Sequence, residues 1–408
     1  MTSDWRLSTW GDEVSLEYGK ALRGYQDGKL GIRVFGSNGP IGWTDKALAA
    51  GPGVILGRKG AYRGVHFSAE PFFVIDTAYY VQPKSEMDKR WLYYAIRHYK
   101  LGEIDDGSPI PSTTRAAVYV RELEVPPVSE QREIGRVLVA LDDRINHNRI
   151  LAANLERIAR RLFKSWFVDF DPVRAKAAGE KPSGLVNDIT ALFPDRFAES
   201  ELGEIPVGWK VGTLGNVCEL NPETWSTKKH PDILEYIDLS NVKSGGIEEA
   251  TSYRWDESPS RARRVLRCGD TIVGTVRPGN RSFALIATDG LTGSTGFAVL
   301  RPSHLHHREY LYLAATAEDA IERLAHLADG AAYPAVRPDV VTGAEVVLPN
   351  DEIMRQFSII TCPMFEQIAV CRNEASVLSS LRDLLLPRLI SGKLRVEDAE
   401  SLIEEAIA

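Results

Sequence analysis

Cysteine is scarce: Cys218, Cys268, Cys362 and Cys371 are the only four in 408 residues, and no two form a C-x-x-C pair. That argues against a disulfide framework and against a structural zinc site, and a reducing, cytoplasmic setting is expected. No apolar run approaches the ~20 residues that cross a bilayer, so no membrane partner is expected. The opening Met1-Thr2-Ser3-Asp4-Trp5-Arg6 lacks the basic stub and apolar core of a signal peptide. Positive charge is not in excess either, since 49 Lys and Arg face 56 Asp and Glu for a net charge of −7. That weakens a nucleic-acid reading without excluding it, because the field at a surface depends on where charges sit. Residues 1–125 are net +1 and 126–170 net +2, and the acidity lies in the later stretches. With 44% hydrophobic and 26% charged residues the chain reads as folded, and its length suggests two to three domains.

What is present is a repeat. Trp5-Arg6-Leu7-Ser8-Thr9-Trp10-Gly11-Asp12 matches Trp209-Lys210-Val211-Gly212-Thr213-Leu214-Gly215-Asn216 at an offset of 204. Thr77-Ala78-Tyr79-Tyr80-Val81 matches Thr295-Gly296-Phe297-Ala298-Val299 at 218, and Trp91-Leu92-Tyr93-Tyr94-Ala95 matches Tyr310-Leu311-Tyr312-Leu313-Ala314 at 219. Asp106-Gly107-Ser108-Pro109-Ile110-Pro111 matches Asp329-Gly330-Ala331-Ala332-Tyr333-Pro334 at 223, an offset that persists to Leu162/Leu385. Four blocks in one order mean two divergent copies of one unit, the second carrying an insertion mostly in its first half.

Each copy opens with a globular part that mixes short strands with one helix. Val54–Leu56, Phe72–Ile75 and Ala78–Val81 read as strands in the first, and Thr271–Val273, Phe283–Ile286 and Phe297–Leu300 in the second. The helices are expected at 87–102 and 308–328. A long helix follows each part, over 128–168 and 351–391, behind Pro126-Pro127 and Pro349, with Ser129 or Asp351 as possible caps. Leu138, Leu141, Ile145, Asn148, Ala152, Leu155, Ala159, Leu162 and Trp166 alternate spacings of three and four, the seam of a coiled coil. Met364, Ile368, Cys371, Ala375, Leu378, Leu385 and Leu389 offer the same on the second helix. About 40 residues at a rise of 1.5 Å make a rod near 60 Å, marginal alone, so each helix needs the other or a partner protein. The stretch 171–184 between the copies is polar and reads as a linker. The expected fold is α+β: two pseudo-repeated α/β domains separated by an antiparallel pair of long helices, with the globular parts at opposite ends.

A search for catalysis is nearly empty. Asn221-Pro222-Glu223 is not the Asn-Pro-Pro-Tyr type that holds a target base, and Ser391-Gly392-Lys393 lacks the upstream glycine of a phosphate loop. His304, His306 and His307 cluster, but nothing near them in sequence completes a metal site, and they read as loop surface residues. No metal or cofactor is expected in this chain.

Two loops point to binding. A strand leads into Gly57-Arg58-Lys59-Gly60-Ala61-Tyr62-Arg63-Gly64, and its counterpart into Gly274-Thr275-Val276-Arg277-Pro278-Gly279-Asn280-Arg281-Ser282. Glycines let the backbone approach a ligand, and Arg or Lys meets phosphates or guanine edges. Either loop alone reads as a turn with solvated charges; the recurrence favours binding. The segments from Asp106 to Arg115 and from Asp329 to Arg337 supply Ser108, Arg115, Tyr333 and Arg337, and read equally as structural turns. Arg254, Arg261, Arg263, Arg264 and Arg267 form the densest basic run, either a groove lining or a solvated loop balanced by Asp256 and Glu257.

Together these features resemble the specificity (S) subunit of type I restriction–modification systems. Trp209 to Leu220 is similar to its Trp-x-x-x-x-Leu-Gly-(Asp/Asn) opening, and Gly57 to Gly60 to its Gly-Arg-Lys-Gly turn. Thr275 to Arg281 resembles the Thr-Val-Arg-Pro-Gly-Asn variant, and Pro126 to Arg132 the Pro-Pro-x-x-Glu-Gln-x-x-Ile helix start. Leu384 to Leu394 resembles the closing Leu-Leu-x-x-Leu-x-x-Gly-x-Leu, while Asp351 to Gln356 departs from the Glu-Gln run.

The resemblance implies target recognition domains at 1–127 and 206–349, spacer helices at 128–169 and 350–392, a linker at 170–205 and a tail at 393–408. It implies a non-catalytic chain that reads a bipartite double-stranded DNA target, one half per domain. Two methyltransferase subunits and motor-nuclease subunits would supply the chemistry, with S-adenosylmethionine, ATP and Mg in those partners. The residues expected at DNA are Arg58, Lys59, Arg63, Ser108, Arg115, Arg263, Arg264, Arg277, Asn280, Arg281, Tyr333 and Arg337. Those expected to pack the helices or a partner are Leu138, Leu141, Ile145, Leu155, Leu162, Trp166, Met364, Ile368, Leu378 and Leu385. Two alternatives stay open: a subunit of a fused methyltransferase–nuclease that contributes to catalysis, and a two-headed protein scaffold that ignores DNA.

Overall fold

The repeat seen in sequence is a repeat of strand pairing. In a computed structural model describing residues 4–25, 31–105, 107, 109–330 and 333–407, the chain forms two compact units, Met1–Asn148 with Glu374–Ala408, and Arg149–Asn373. In the first unit, Arg6–Thr9 pairs antiparallel with Glu122–Val125, closing the globular part on itself. Its main sheet runs in the order Val14–Tyr18, Ala78–Pro83, Gly53–Gly57, Val65–Ser68, antiparallel throughout. A second sheet orders Gly39–Thr44, Ile32–Gly36 and Phe72–Val74, the last two parallel. The apolar runs Val54-Ile55-Leu56 and Phe72-Phe73-Val74 are buried, as strands covered on both faces must be.

The second unit repeats each step. Lys210–Thr213 pairs with Glu345–Leu348, and the main sheet orders Cys218–Leu220, Phe297–Pro302, Thr271–Gly274, Phe283–Leu285. The second sheet again contains one parallel pair, Ile233–Ile237 with Leu291–Ser294. Thr251–Arg254 and Ala262–Val265 flank that pair. The hairpin Val242–Lys243 with Gly246–Ile247, which lies near Phe283–Leu285, falls in the extra length of the second copy.

The helices of the globular parts differ from expectation in one respect. Lys89–His98 forms behind the Asp88 cap, whose carboxylate accepts from the amides of Arg90 and Trp91. The counterpart is broken into Arg308–Ala315 and Glu318–Leu327. At the break the Thr316 hydroxyl donates back to the Tyr312 carbonyl at 2.6 Å, and Arg160 donates to the Thr316 carbonyl at 3.2 Å, satisfying groups a continuous helix would use.

The two 40-residue helices run Val128–Phe167 and Asp351–Ile390. In each unit a half of one lies against a half of the other. In the first unit Asp142 pairs with Arg382 and Arg144 with Glu374, both at 2.7 Å, and the falling partner number marks an antiparallel pair. In the second unit Glu156 pairs with Arg372, while Phe163 and Phe167 meet Phe357. Leu138, Leu141, Ile145, Trp166, Ile368, Leu378 and Leu385 are buried as the heptads predict. Leu155, Leu162 and Met364 are only half-buried, because Phe163, Phe167, Phe357 and Phe365 take the centre of that core.

The stretch 170–205, read as a linker, carries helices Asp171–Ala177 and Asn187–Leu192 and the hairpin Phe197–Ser200 with Gly203–Pro206. Phe170, Val173 and Phe193 are buried with Trp166 and Trp209, three apolar side chains that an averaged polar composition conceals. The segment read as a tail forms the helix Val396–Ile407, with Val396 and Ala399 in the first unit's core. No described helix is long and apolar enough to cross a membrane.

Candidate nucleic-acid interface

The sequence points separately to a cation loop and a proline loop; the fold joins them, twice, by the same bonds. In the first unit the Gly60 amide donates to the Pro111 carbonyl at 3.1 Å and the Thr113 amide to the Arg58 carbonyl at 2.9 Å. In the second, the Arg277 amide donates to Pro334 at 2.7 Å and the Val336 amide to Thr275 at 2.9 Å. Isolated bridges Lys59↔Ser112 and Val276↔Ala335 mark the same places. In each unit the cation loop leaves the end of an interior strand of the main sheet, at Gly57 or Gly274, and the proline loop is tied to it, so a rigid sheet sets the position of both.

In the first unit this edge gathers two arginines around a tyrosine that sequence reasoning missed. The Arg58 guanidinium lies 5.0 Å and that of Arg115 4.2 Å from the Tyr18 ring, which is 46% exposed. Arg115 also donates to the Leu16 carbonyl at 2.6 Å and faces Glu17 at 3.7 Å. Beneath, Tyr79 donates to the Thr113 carbonyl, and burial, followed by its hydrogen bond with Tyr18, pushes its hydroxyl up to about 12. Lys59 is exposed beside them. Ser108 lies outside the described residues. No spacing rule links Tyr18 to Arg58 or Arg115; they meet only because strand Val14–Tyr18 ends beside both loops.

Arg63 does something other than expected. Its guanidinium donates to the carbonyls of Gly60 at 2.6 Å, Gly102 at 2.9 Å and Ile104 at 3.1 Å, and to Thr113 Oγ1 at 3.2 Å. Its fork is therefore engaged within the domain, stapling the loop to the turn Leu101–Glu103. It positions the neighbours that face outward.

In the second unit Arg277 stacks 4.8 Å from the Tyr333 ring, which is 72% exposed. Arg277 and Arg281 both have positive φ, 48° and 62°. The position of Arg277 corresponds to Gly60, also at positive φ (110°). A glycine accepts that backbone freely, whereas an arginine costs about 1–2 kcal/mol there, a strain typical of functional loops. Asn280 is exposed in the same turn, and Arg281 pairs with Glu318 at 2.6 Å. Arg337 is exposed and paired with Asp339 at 2.6 Å, without the aromatic support Arg115 has.

The dense basic run resolves into internal pairs. Arg261 donates to Tyr236 and Asp238, Arg267 pairs with Glu223, and Arg254 with Asp256. Arg263 covers Trp255 at 4.4 Å while His230 stacks on the same ring at 4.1 Å. Arg264 is half-buried, and burial pulls its guanidinium below its ordinary value. Hydrogen bonds from Arg267 and then Arg301 hold the Glu223 carboxyl at about 2.

Chemically, each loop pair offers cations, exposed apolar tips and backbone polar groups on one edge. Tyr62, Ile110 and Tyr333 are 77%, 63% and 72% exposed. Arginine and lysine suit phosphate oxygens and guanine edges, and apolar tips suit sugars and the thymine methyl. Elsewhere, one group of three metal-ligating side chains occurs among the described residues: His306, His307 and Asp351. The sequence shows the two histidines but not the carboxylate 45 positions on.

No family model matches the chain. It is 24% identical over 328 residues to the type I restriction enzyme MjaIX specificity subunit of Methanocaldococcus jannaschii, covering 78% of this chain and 71% of that one. It is 27% identical over 341 residues to the HindI specificity subunit of Haemophilus influenzae, covering 70% and 71%. The crystal structure of a type I S subunit from M. genitalium aligns with 95% of this chain and 96% of its own, at a TM-score of 0.63 and 17% identity, which shows a common fold. In sequence and in architecture the chain is thus similar to type I specificity subunits, as its motifs indicate.

Proposed function

We propose that the chain is the DNA-reading subunit of a type I restriction–modification complex, each globular part reading one half of a split double-stranded target. The observation that carries this reading is the duplicated junction of a cation loop with a proline loop, built by equivalent hydrogen bonds at Gly60–Pro111 and Arg277–Pro334. Arg58, Lys59 and Arg115 would contact the first half, and Arg277, Asn280, Arg281 and Tyr333 the second. Arg263 and Arg264 stand as weaker contributors, since neither belongs to a loop pair and Arg264 is half-buried; Arg337, like Arg281, would exchange an ion pair, with Asp339 or Glu318, for a contact to DNA. The long helices would fix the unread gap and receive two methyltransferase subunits and the motor-nuclease subunits. Those partners would bring S-adenosylmethionine, ATP and Mg; this chain supplies recognition and no chemistry. Two modest recognition events carried by one chain combine into tight binding through effective concentration.

The test is the methylation pattern of DNA from cells carrying this chain with its methyltransferase. A split motif with adenine modified in each half is expected. Charge reversal at Arg58 and Lys59 should damage recognition of one half and spare the other. A continuous motif, or damage to both halves alike, would sink the reading.

A further inference from the structure

The geometry points to a transition-metal site at His306, His307 and Asp351 in the second unit, with a borderline divalent ion such as Zn²⁺ as its ligand. The three side chains come from two elements. His306 and His307 close the turn Leu305–His307, immediately before the helix Arg308–Ala315, and Asp351 is the first residue of the second long helix. One donor atom from each lies within 4.8 Å of the others. Asp351 Oδ1 is 2.5 Å from His306 Nε2 and 3.5 Å from His307 Nε2. Donors on one tetrahedral ion at about 2.0–2.1 Å stand about 3.3 Å apart, so binding needs the His306–Asp351 contact to open and the widest donor separation, up to 4.8 Å, to close.

Three further features favour a metal over a bare polar cluster. His307 is more than nine-tenths buried, and its Nε2, 3.5 Å from Asp351 Oδ1, makes no short hydrogen bond that an ion would have to displace. Asp351 Oδ2 is held by Arg355 at 2.8 Å, which fixes the carboxylate and leaves Oδ1 turned to the imidazoles. Asp351 is also half exposed, giving an ion a path in and room for water as a remaining ligand. Two imidazoles and one carboxylate with an open position are a donor set for zinc and its neighbours rather than for Mg²⁺ or Ca²⁺.

The repeat supplies a reason for the site. In the first unit the same junction, between the start of a head helix and the start of a long helix, is held by Gln131. Its side chain accepts from the Asp88 amide and donates to the Pro126 carbonyl, both at 2.9 Å. At the repeat offset Gln131 corresponds to Met354, which cannot make these bonds, and Asp88 corresponds to His307. The second unit replaces that amide anchor with the His–His–Asp cluster, and a bound ion would lock the long helix to its head.

Equilibrium dialysis of the full chain against Co²⁺, with optical spectroscopy of the bound ion, tests this. Expected are one Co²⁺ per chain, visible d–d absorption without a thiolate charge-transfer band, and a Zn²⁺-induced rise in thermal stability. His306→Gln and Asp351→Asn should each weaken binding at least about tenfold and abolish the stabilisation by Zn²⁺. Asn350, not Asp351, caps the long helix, its Oδ1 accepting from the Ile353 amide at 2.9 Å, so Asp351→Asn preserves side-chain shape and that cap, and its result does not depend on His306→Gln folding. Absence of bound Co²⁺ in the wild type, undiminished binding in both variants, or loss only on Cys268→Ser with Cys362→Ser would each overturn the site.

Discussion

The backbone amide of Arg277 donates to the carbonyl of Pro334 at 2.7 Å, which places the Arg277 guanidinium against the ring of Tyr333, the next residue back along that loop. An arginine is thus held in a left-handed backbone conformation on a surface loop, at the position where the other copy has Gly60.

Arg277→Gly should therefore separate stability from recognition. Relief of backbone strain offsets the lost stacking, so the thermal midpoint should stay equal or rise, with a change within about 1 kcal/mol. Methylation at one half of the target should fall sharply. A variant that loses stability and keeps its methylation pattern would mean that the loop is structural.

Arg63 is expected to behave as a staple. Arg63→Lys retains the charge but not the fork that serves the carbonyls of Gly60, Gly102 and Ile104. It should cost about 2 kcal/mol of local stability, read as faster hydrogen exchange across 57–64 and 101–104. Exchange matching the wild type would show that charge alone suffices.

Two neighbouring leucines on the second long helix should differ. Leu385 is fully buried and Leu384 is 57% exposed. Leu385→Ala should destabilise the first unit by about 3 kcal/mol, whereas Leu384→Ala should stay within about 0.5 kcal/mol in thermal unfolding. Equal effects would misplace the helix seam.

Glu223 should make the second unit acid-sensitive. Its carboxyl titrates at about 2 in the fold because Arg267 and Arg301 hydrogen-bond the charged form. An unfolded glutamate titrates at about 4.3, so the stabilisation is complete above that value and is lost as pH falls toward the folded value. Denaturant unfolding of Glu223→Gln should show a deficit on the order of 1 kcal/mol at neutral pH. The deficit should shrink steadily as the solution is acidified, and a constant one would assign the effect to packing.

The partial exposure of Leu155, Leu162 and Met364 shows where heptad reasoning stops. Spacing identifies an apolar stripe, but which side chains occupy its centre depends on the volume of the neighbours. Phe163, Phe167, Phe357 and Phe365 win that contest in the second unit. Likewise Phe170, Val173 and Phe193 make 170–205 part of a core, which local composition could not reveal.

What the sequence by itself determined is whatever repeats or recurs at a fixed period: the duplication, six of the strands, the two long helices and the pair of cation loops. These are local or self-referential signals, written in propensity and spacing. Tertiary structure alone decided which distant side chains share a surface. It set Tyr18 between Arg58 and Arg115, turned Arg63 inward, and carried Asp351 to His306 and His307. Such meetings depend on how sheets and helices pack in three dimensions, and chain separation holds no trace of that packing.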